Sequence, residues 1–543
     1  MMRTVRWSAF RFVCFTRSNA PRKVGGLSMD KSFVFIALLW AFQAFAQGTY
    51  TASSCSQAAV QAAITAEQAH PLDGDTISIP AGSCTWTTGM NLTFNNSVVI
   101  QGAGATSATN GGAGTTGSDV TAITNHAGSG NPIMEVHTVA GKSFRFTGVA
   151  VLEDGSSGSQ GTGNLVIDGQ SSAVRVDHCH FLIYIGGSKG LGLQNGVTGV
   201  ADHLYINTSQ EITNDFAFLN GGNWQGDSDP NSLGNQSWVD ADHFGTSKFF
   251  YVEDSRFSGG YLSDCSNGGR WVLRYSTVLE NHGSANHGTH DPWRSCRAAE
   301  IYQNTFTNSS YTEGGGITHN NGGSTLIWGN AVTANFAHII DLNNIRDSGA
   351  TYSESAPPNG WGYCNTSSGT VWDGKSGPGG YPCLDQPARG AGDLLAGYPA
   401  SSILNVTAGN TRTWPHQVLD PIYAWANTLG GSMATSIVGD NTNGLVADNR
   451  DYFQQFGTYG ESGSFNGTAG VGQGLLSARP STCSNATYPG PGYWATDRNT
   501  LYVCTAANTW TAYYTPFTYP HPLTQSSTGS AVAAPTNLSA TVN

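Results

Sequence analysis

Four short apolar runs within residues 249–335 repeat one pattern: FFYVEDSRF (249–257), WVLRYSTV (271–278), AEIYQNTF (299–306) and TLIWGNAV (325–332). When Phe257, Val278, Phe306 and Val332 are superposed, Val252, Leu273, Ile301 and Ile327 also coincide, as do Ser255, Ser276, Asn304 and Asn330. The units recur at 21, 28 and 26 residues. A repeat of that size cannot bury its own apolar face, so it stacks on its neighbours as a solenoid. Apolar and polar positions alternate, which is the period of a strand and not of a helix. Unequal spacing between like strands means that the connections vary while the stack stays regular.

Equivalent positions in stacked parallel strands lie about 4.8 Å apart. The alignment therefore predicts one outward column of Glu253, Arg274, Tyr302 and Trp328, with Asp177 one or two coils earlier. A neighbouring outward column holds Tyr251 and Glu300. Rings that stack on sugar faces, beside ionic groups that take hydroxyls or carboxylates, would make this a substrate-binding surface. The plainer alternative is a solvated face with cross-coil pairs such as Glu253–Arg274.

Further coils read as SFRFTGVAVLED (143–154), AVRVDHCHFLI (173–183) and DHLYINTSQEI (202–212). Residues 53–69 are Ala-rich with helical spacing, opened by Ser53 or Ser54 as a cap. GDTISIPAG and a strand ending in IQGAG follow. This opening, with the VRVDHCHF coil, resembles the pectate-lyase-like right-handed β-helix superfamily. The resemblance implies an all-β right-handed parallel β-helix over residues 47–460, with an N-terminal helix capping the open first coil. It carries the fold alone. The Asp-Asp and Gly-His-Gly pattern of polygalacturonases and the Arg-x-Pro-x-x-Arg pattern of pectate lyases are absent.

Residues 350–414 form a long Gly-, Pro- and Trp-rich insertion, and long loops inside a compact domain tend to be functional. Residues 461–525 read as a small C-terminal β module around GYWATDRNTLYVCTAANTW. Residues 526–543 are a Ser/Thr/Ala/Pro-rich linker whose AAPTNLSATVN resembles the approach to a truncated fibronectin type III module.

Lys31, the apolar run FVFIALLWAFQAFA (33–46) and its Ala-Phe-Ala exit describe a secretory signal peptide, too short for a membrane span. Met29 is the expected start, residues 1–28 being an upstream extension. Without residues 1–46, which carry seven basic residues and one acid, the formal charge moves from −12 to −18. That balance disfavours nucleic acid as a partner. It also burdens binding of a polyanion, unless cations or a local basic cleft intervene. Nine cysteines remain, and proximity pairs Cys55–Cys84, Cys265–Cys296, Cys364–Cys383 and Cys483–Cys504, leaving Cys179 buried and free.

The densest chemistry is the connection ENHGSANHGTHDPWRSCR (280–297), with His282, His287, His290, Asp291, Arg294 and Arg297. Histidine suits proton transfer near neutral pH, and arginine takes carboxylates bidentately. A β-elimination of a uronic acid needs a carboxylate neutraliser, a base for the C5 proton and an acid for the leaving oxygen. His287 or His290 is the candidate base, Tyr302 the acid, Arg294 or Arg297 the neutraliser, and Lys248 a spare base. A structured turn capped by these side chains is the alternative. In WVDADHFGTSK (238–248), Asp240 and Asp242 are candidate Ca²⁺ ligands, or with His243 the acid and base of a hydrolase. The functional expectation is a secreted polysaccharide lyase. A β-helix glycoside hydrolase and a non-enzymatic adhesin are the alternatives, the irregular connections arguing against a plain rod.

Overall fold

The computed structural model describes residues 47–156, 158–208, 215–221, 237–238, 240, 244–280, 284–286, 295–308, 315–343, 387–390, 418–433, 438–441, 446–458 and 461–525. The chain winds through three long sheets, of 12, 11 and 10 strands, here the first, second and third sheets. Each turn of the winding adds one strand to each sheet. Neighbours pair in parallel, apart from the antiparallel last pair of the second sheet, Thr428–Leu429 with Ser432–Met433. In the first sheet, Phe250–Glu253, Arg270–Arg274, Ala298–Tyr302 and Ser324–Trp328 lie side by side in the register of the aligned repeats. Phe257, Val278, Phe306 and Val332 likewise stack in the second sheet.

Alternation sends Val252, Leu273, Ile301 and Ile327 inward, where they join one continuous apolar core running from Ala52 to Tyr452. α1 (Gln57–Gln68) packs against the first strands of the first sheet, and its N-cap is Ser56, whose Oγ accepts from the Ala59 amide. The expected cap at Ser53 or Ser54 is thus displaced to the residue directly before the helix. Disulfides join Cys55 to Cys84, Cys265 to Cys296 and Cys483 to Cys504, and Cys179 is a buried free thiol. The proposed Cys364–Cys383 pair lies outside the described residues.

The connection from the first to the second sheet is two residues long in every coil from Gly148–Val149 to Ala426–Asn427. Its first residue is left-handed throughout: Gly148, His178, His203, Asp254, Tyr275, Gln303, Gly329 and Ala426 have φ between 50° and 68°. The second residue points inward. There Asn304, Asn330 and Asn427 form a buried ladder, each amide bonding the next at 2.9–3.0 Å. Ser255 and Ser276 continue the ladder toward earlier coils.

Gly492–Ala495, Thr500–Ala506 and Thr509–Tyr514 form an antiparallel meander, joined in parallel to Val471–Gly474. From Tyr513 to Thr524 the chain then runs across the outer face of the first sheet. Among the described residues, no helix is long and apolar enough to cross a membrane.

Candidate functional site

The connections from the third sheet back to the first are unlike the two-residue turns. Most are three or four residues, such as 94–97 and 321–323, but four are long: 221–249, 287–297, 344–421 and 442–451. All four run from the ends of third-sheet strands to the starts of first-sheet strands, so they begin and end at one corner of the solenoid. His287, His290, Arg294 and Asp242 belong to these insertions and lie outside the described residues.

What is described at this corner is a buried, arginine-rich cluster. Arg270 donates from Nε to Ser237 Oγ at 3.0 Å and lies over the Phe249 ring. Arg389 donates to Asp451 at 2.7 Å. Arg297 is fully buried; its Nη1 meets Asp420 Oδ2 at 3.0 Å, and its guanidinium lies 5.6 Å from the Trp238 ring centroid. Asp420 in turn accepts from Tyr513. Gly390 makes the pair possible, since a Cβ there would sit 2.2 Å from Asp420 Oδ2. Among the described residues, Nε and Nη2 of Arg297 have no hydrogen-bond partner. A guanidinium with one edge paired and the adjacent Nε–Nη2 edge unpaired is shaped for a second, planar oxyanion.

Lys248 Nζ lies 2.6 Å from Asp240 Oδ2. An ammonium held on that carboxylate does not fit Asp240 as part of an oxygen cage for Ca²⁺, which needs six or more oxygen ligands.

The outward columns exist, but the open binding face expected from them does not. Glu253, Arg274, Tyr302, Trp328, Tyr251 and Glu300 are all buried, because residues 513–524 cover them. Alternation fixes which side of a strand a residue faces, and leaves unsaid what later chain lies on that side. Arg274 is bonded to Glu253 at 2.6 Å and donates to Tyr302 Oη and to the carbonyls of Phe517 and Thr518. Glu253 also accepts from the His521 amide. Tyr302, Trp328 and Trp425 stack nearly parallel. Tyr251 donates to the Thr246 carbonyl. Glu300 accepts from the Gly245 amide at 2.7 Å and from Tyr514 Oη at 2.9 Å, and burial pushes its carboxyl up to about 7. Burial raises the Tyr302 phenol far above its ordinary range, which removes it as a ready acid. Burial, with Arg274 and Arg175 nearby, brings His521 down to about 4.

Sequence reasoning missed the outer face of the third sheet. There Asp341 lies 3.0 Å from His319 Nδ1 and 3.3 Å from His338 Nε2. Burial opposes ionisation, yet the two imidazoles hold this carboxyl well below the usual range. Lys189 pairs with Asp264 at 2.8 Å on the same sheet. His319, Ala285 and Asp264 occupy one register row, so the strand Ser284–Asn286 inside the His-rich connection lies between the two pairs. The repeat pattern of the sequence marks strands of the first and second sheets alone; the third-sheet row shows only when THN (318–320) is set against SAN (284–286). Comparison with models of known families, with curated proteins and with solved structures finds no match.

Proposed function

We propose that this chain is a secreted, right-handed parallel β-helix of the pectate-lyase-like kind, capped by α1, that cleaves a uronate-containing polysaccharide by β-elimination. The observation that supports it best is the Nε–Nη2 edge of Arg297, unpaired among the described residues, at the corner where the long insertions begin and end. A uronate carboxylate on that edge would gain two charge-assisted hydrogen bonds in a low-dielectric setting. Neutralising it lowers the cost of removing the C5 proton, because the carbanion's charge spreads onto the held carboxylate. The base takes that proton, the C4–O bond breaks, and the leaving oxygen takes up a proton as the C4–C5 double bond forms. His287 or His290, on the insertion that ends at Arg297, is the base in this reading. The buried position of Arg297 requires the corner to open for substrate, as lidded sites do.

The test is incubation of the purified chain with a panel of acidic polysaccharides, following the ultraviolet absorbance of the unsaturated product. Absorbance that disappears in the His287→Ala/His290→Ala double variant, with melting unchanged, supports the reading. New reducing ends without absorbance would mean hydrolysis, and silence on every glycan would mean a non-enzymatic binding protein.

A further inference from the structure

The early coils of the third sheet carry a second cluster, remote in sequence from the corner. Glu135 and His137 sit two apart on the strand Met134–Thr138, so both side chains leave the same face. Register puts Asn91 beside Glu135 and Asp168 beside His137. Each neighbour orients its partner. Asp168 Oδ2 lies 3.0 Å from His137 Nδ1, and Asn195 Nδ2 donates to the other Asp168 oxygen at 2.6 Å. Asn91 Nδ2 donates to Glu135 Oε2 at 3.2 Å. What remains is His137 Nε2 facing Glu135 Oε1 across 3.8 Å.

That gap is too wide for a hydrogen bond. Two ligands at about 2.05 Å from one tetrahedral ion would stand about 3.4 Å apart, a closure of a few tenths of an ångström for a half-exposed glutamate. A carboxylate holding Nδ1 while Nε2 faces a vacant position is the outer-shell arrangement that fixes a metal-ligating histidine. The ligand atoms of Glu135, His137 and Asp168 all lie within 4.8 Å of one another. The comparable grouping His178–Asp202–His203 differs, because both nitrogens of His203 are engaged, by Asp202 at 2.8 Å and Asn110 at 2.6 Å.

We propose that Glu135 Oε1 and His137 Nε2 bind a divalent transition-metal ion, with Asp168 and Asn91 as positioning residues and the outward coordination positions left to water. One imidazole and one carboxylate select a borderline ion such as Zn²⁺ over Ca²⁺, which takes oxygen alone.

Calorimetric titration of the full chain with zinc chloride tests this. Exposed histidines anywhere on a chain take up zinc weakly, so the reading is the difference between variants. His137→Ala and Glu135→Gln should each remove one equivalent of zinc while leaving the metal-free melting temperature unchanged. Asp168→Asn should keep that equivalent and weaken it 10- to 100-fold. An unaltered stoichiometry in both His137→Ala and Glu135→Gln, or no zinc uptake by the unmodified chain, overturns the proposal.

Discussion

The two corners that flank the first sheet follow opposite rules. From the first sheet to the second, the eight turns from Gly148–Val149 to Ala426–Asn427 are each two residues long, open with a left-handed residue and end in a buried side chain, which in the last five is a Ser or Asn of the ladder. From the third sheet to the first, connections range from three residues to the whole of 344–421. One corner holds the coils in step, since a slip of one residue would turn every apolar side chain outward. The other tolerates insertion because lengthening a surface connection costs little entropy, and the inserted chain is where a site can be built.

Breaking the regular corner should cost most. Asn330 Nδ2 donates to the Ile301 carbonyl and to Asn427, and its Oδ1 accepts from Asn304. Asn330→Ala strands several buried polar groups and should lower stability by about 3 kcal/mol in denaturant unfolding, with activity per folded molecule unchanged. A loss under 1 kcal/mol would demote the ladder.

The next effect lies where the first insertion meets the first sheet, at Glu300. Its folded pKa of about 7 exceeds the ordinary value of 4.5, so the folded state holds its proton longer. The associated stability is full below pH 4.5 and is lost as pH rises through 7. Glu300→Gln should therefore gain on the unmodified chain by roughly 2 kcal/mol between pH 5 and pH 8. Parallel pH profiles for the two would show that the carboxyl is not held neutral.

At the irregular corner, Arg297→Lys keeps a charge for Asp420 and loses the planar Nε–Nη2 edge. On the proposed uronate substrate we expect kcat/KM to fall about ten-fold or more, near 1.4 kcal/mol, with little change in melting. A melting loss as large as that of Asn330→Ala would erase the distinction between the corners. The smallest pair tests the left-handed positions. Gly329→Ala should destabilise by about 1 kcal/mol, and Ala426→Gly should stabilise by up to about 1 kcal/mol, both read as melting shifts.

The register of the four repeats was legible because period-2 alternation and the Ser/Asn position mark each coil at the same place. The burial of Glu253, Arg274 and Tyr302 was not, because it depends on Phe517, Thr518 and His521, more than two hundred residues later in the chain. Nor was the Asp341 cluster, since His319 and His338 reach it from different places, one on the neighbouring strand and one just before its own. Arg297 stood in the sequence as one candidate among six in a dense run. Its vacant edge follows from which oxygen atoms surround it, and that is decided by tertiary packing.

The stretch laid over the first sheet changes how such a stack comes apart. An ideal solenoid has only nearest-neighbour coupling, so it frays coil by coil from an end. Here Arg175 holds the carbonyls of Leu523 and Thr524, while Arg274, three coils on, holds those of Phe517 and Thr518. One ribbon thus ties distant rungs together, so losing a terminal rung no longer relaxes its neighbour alone. Such contacts raise the mean sequence separation, which favours slow folding and a single, all-or-none loss of structure.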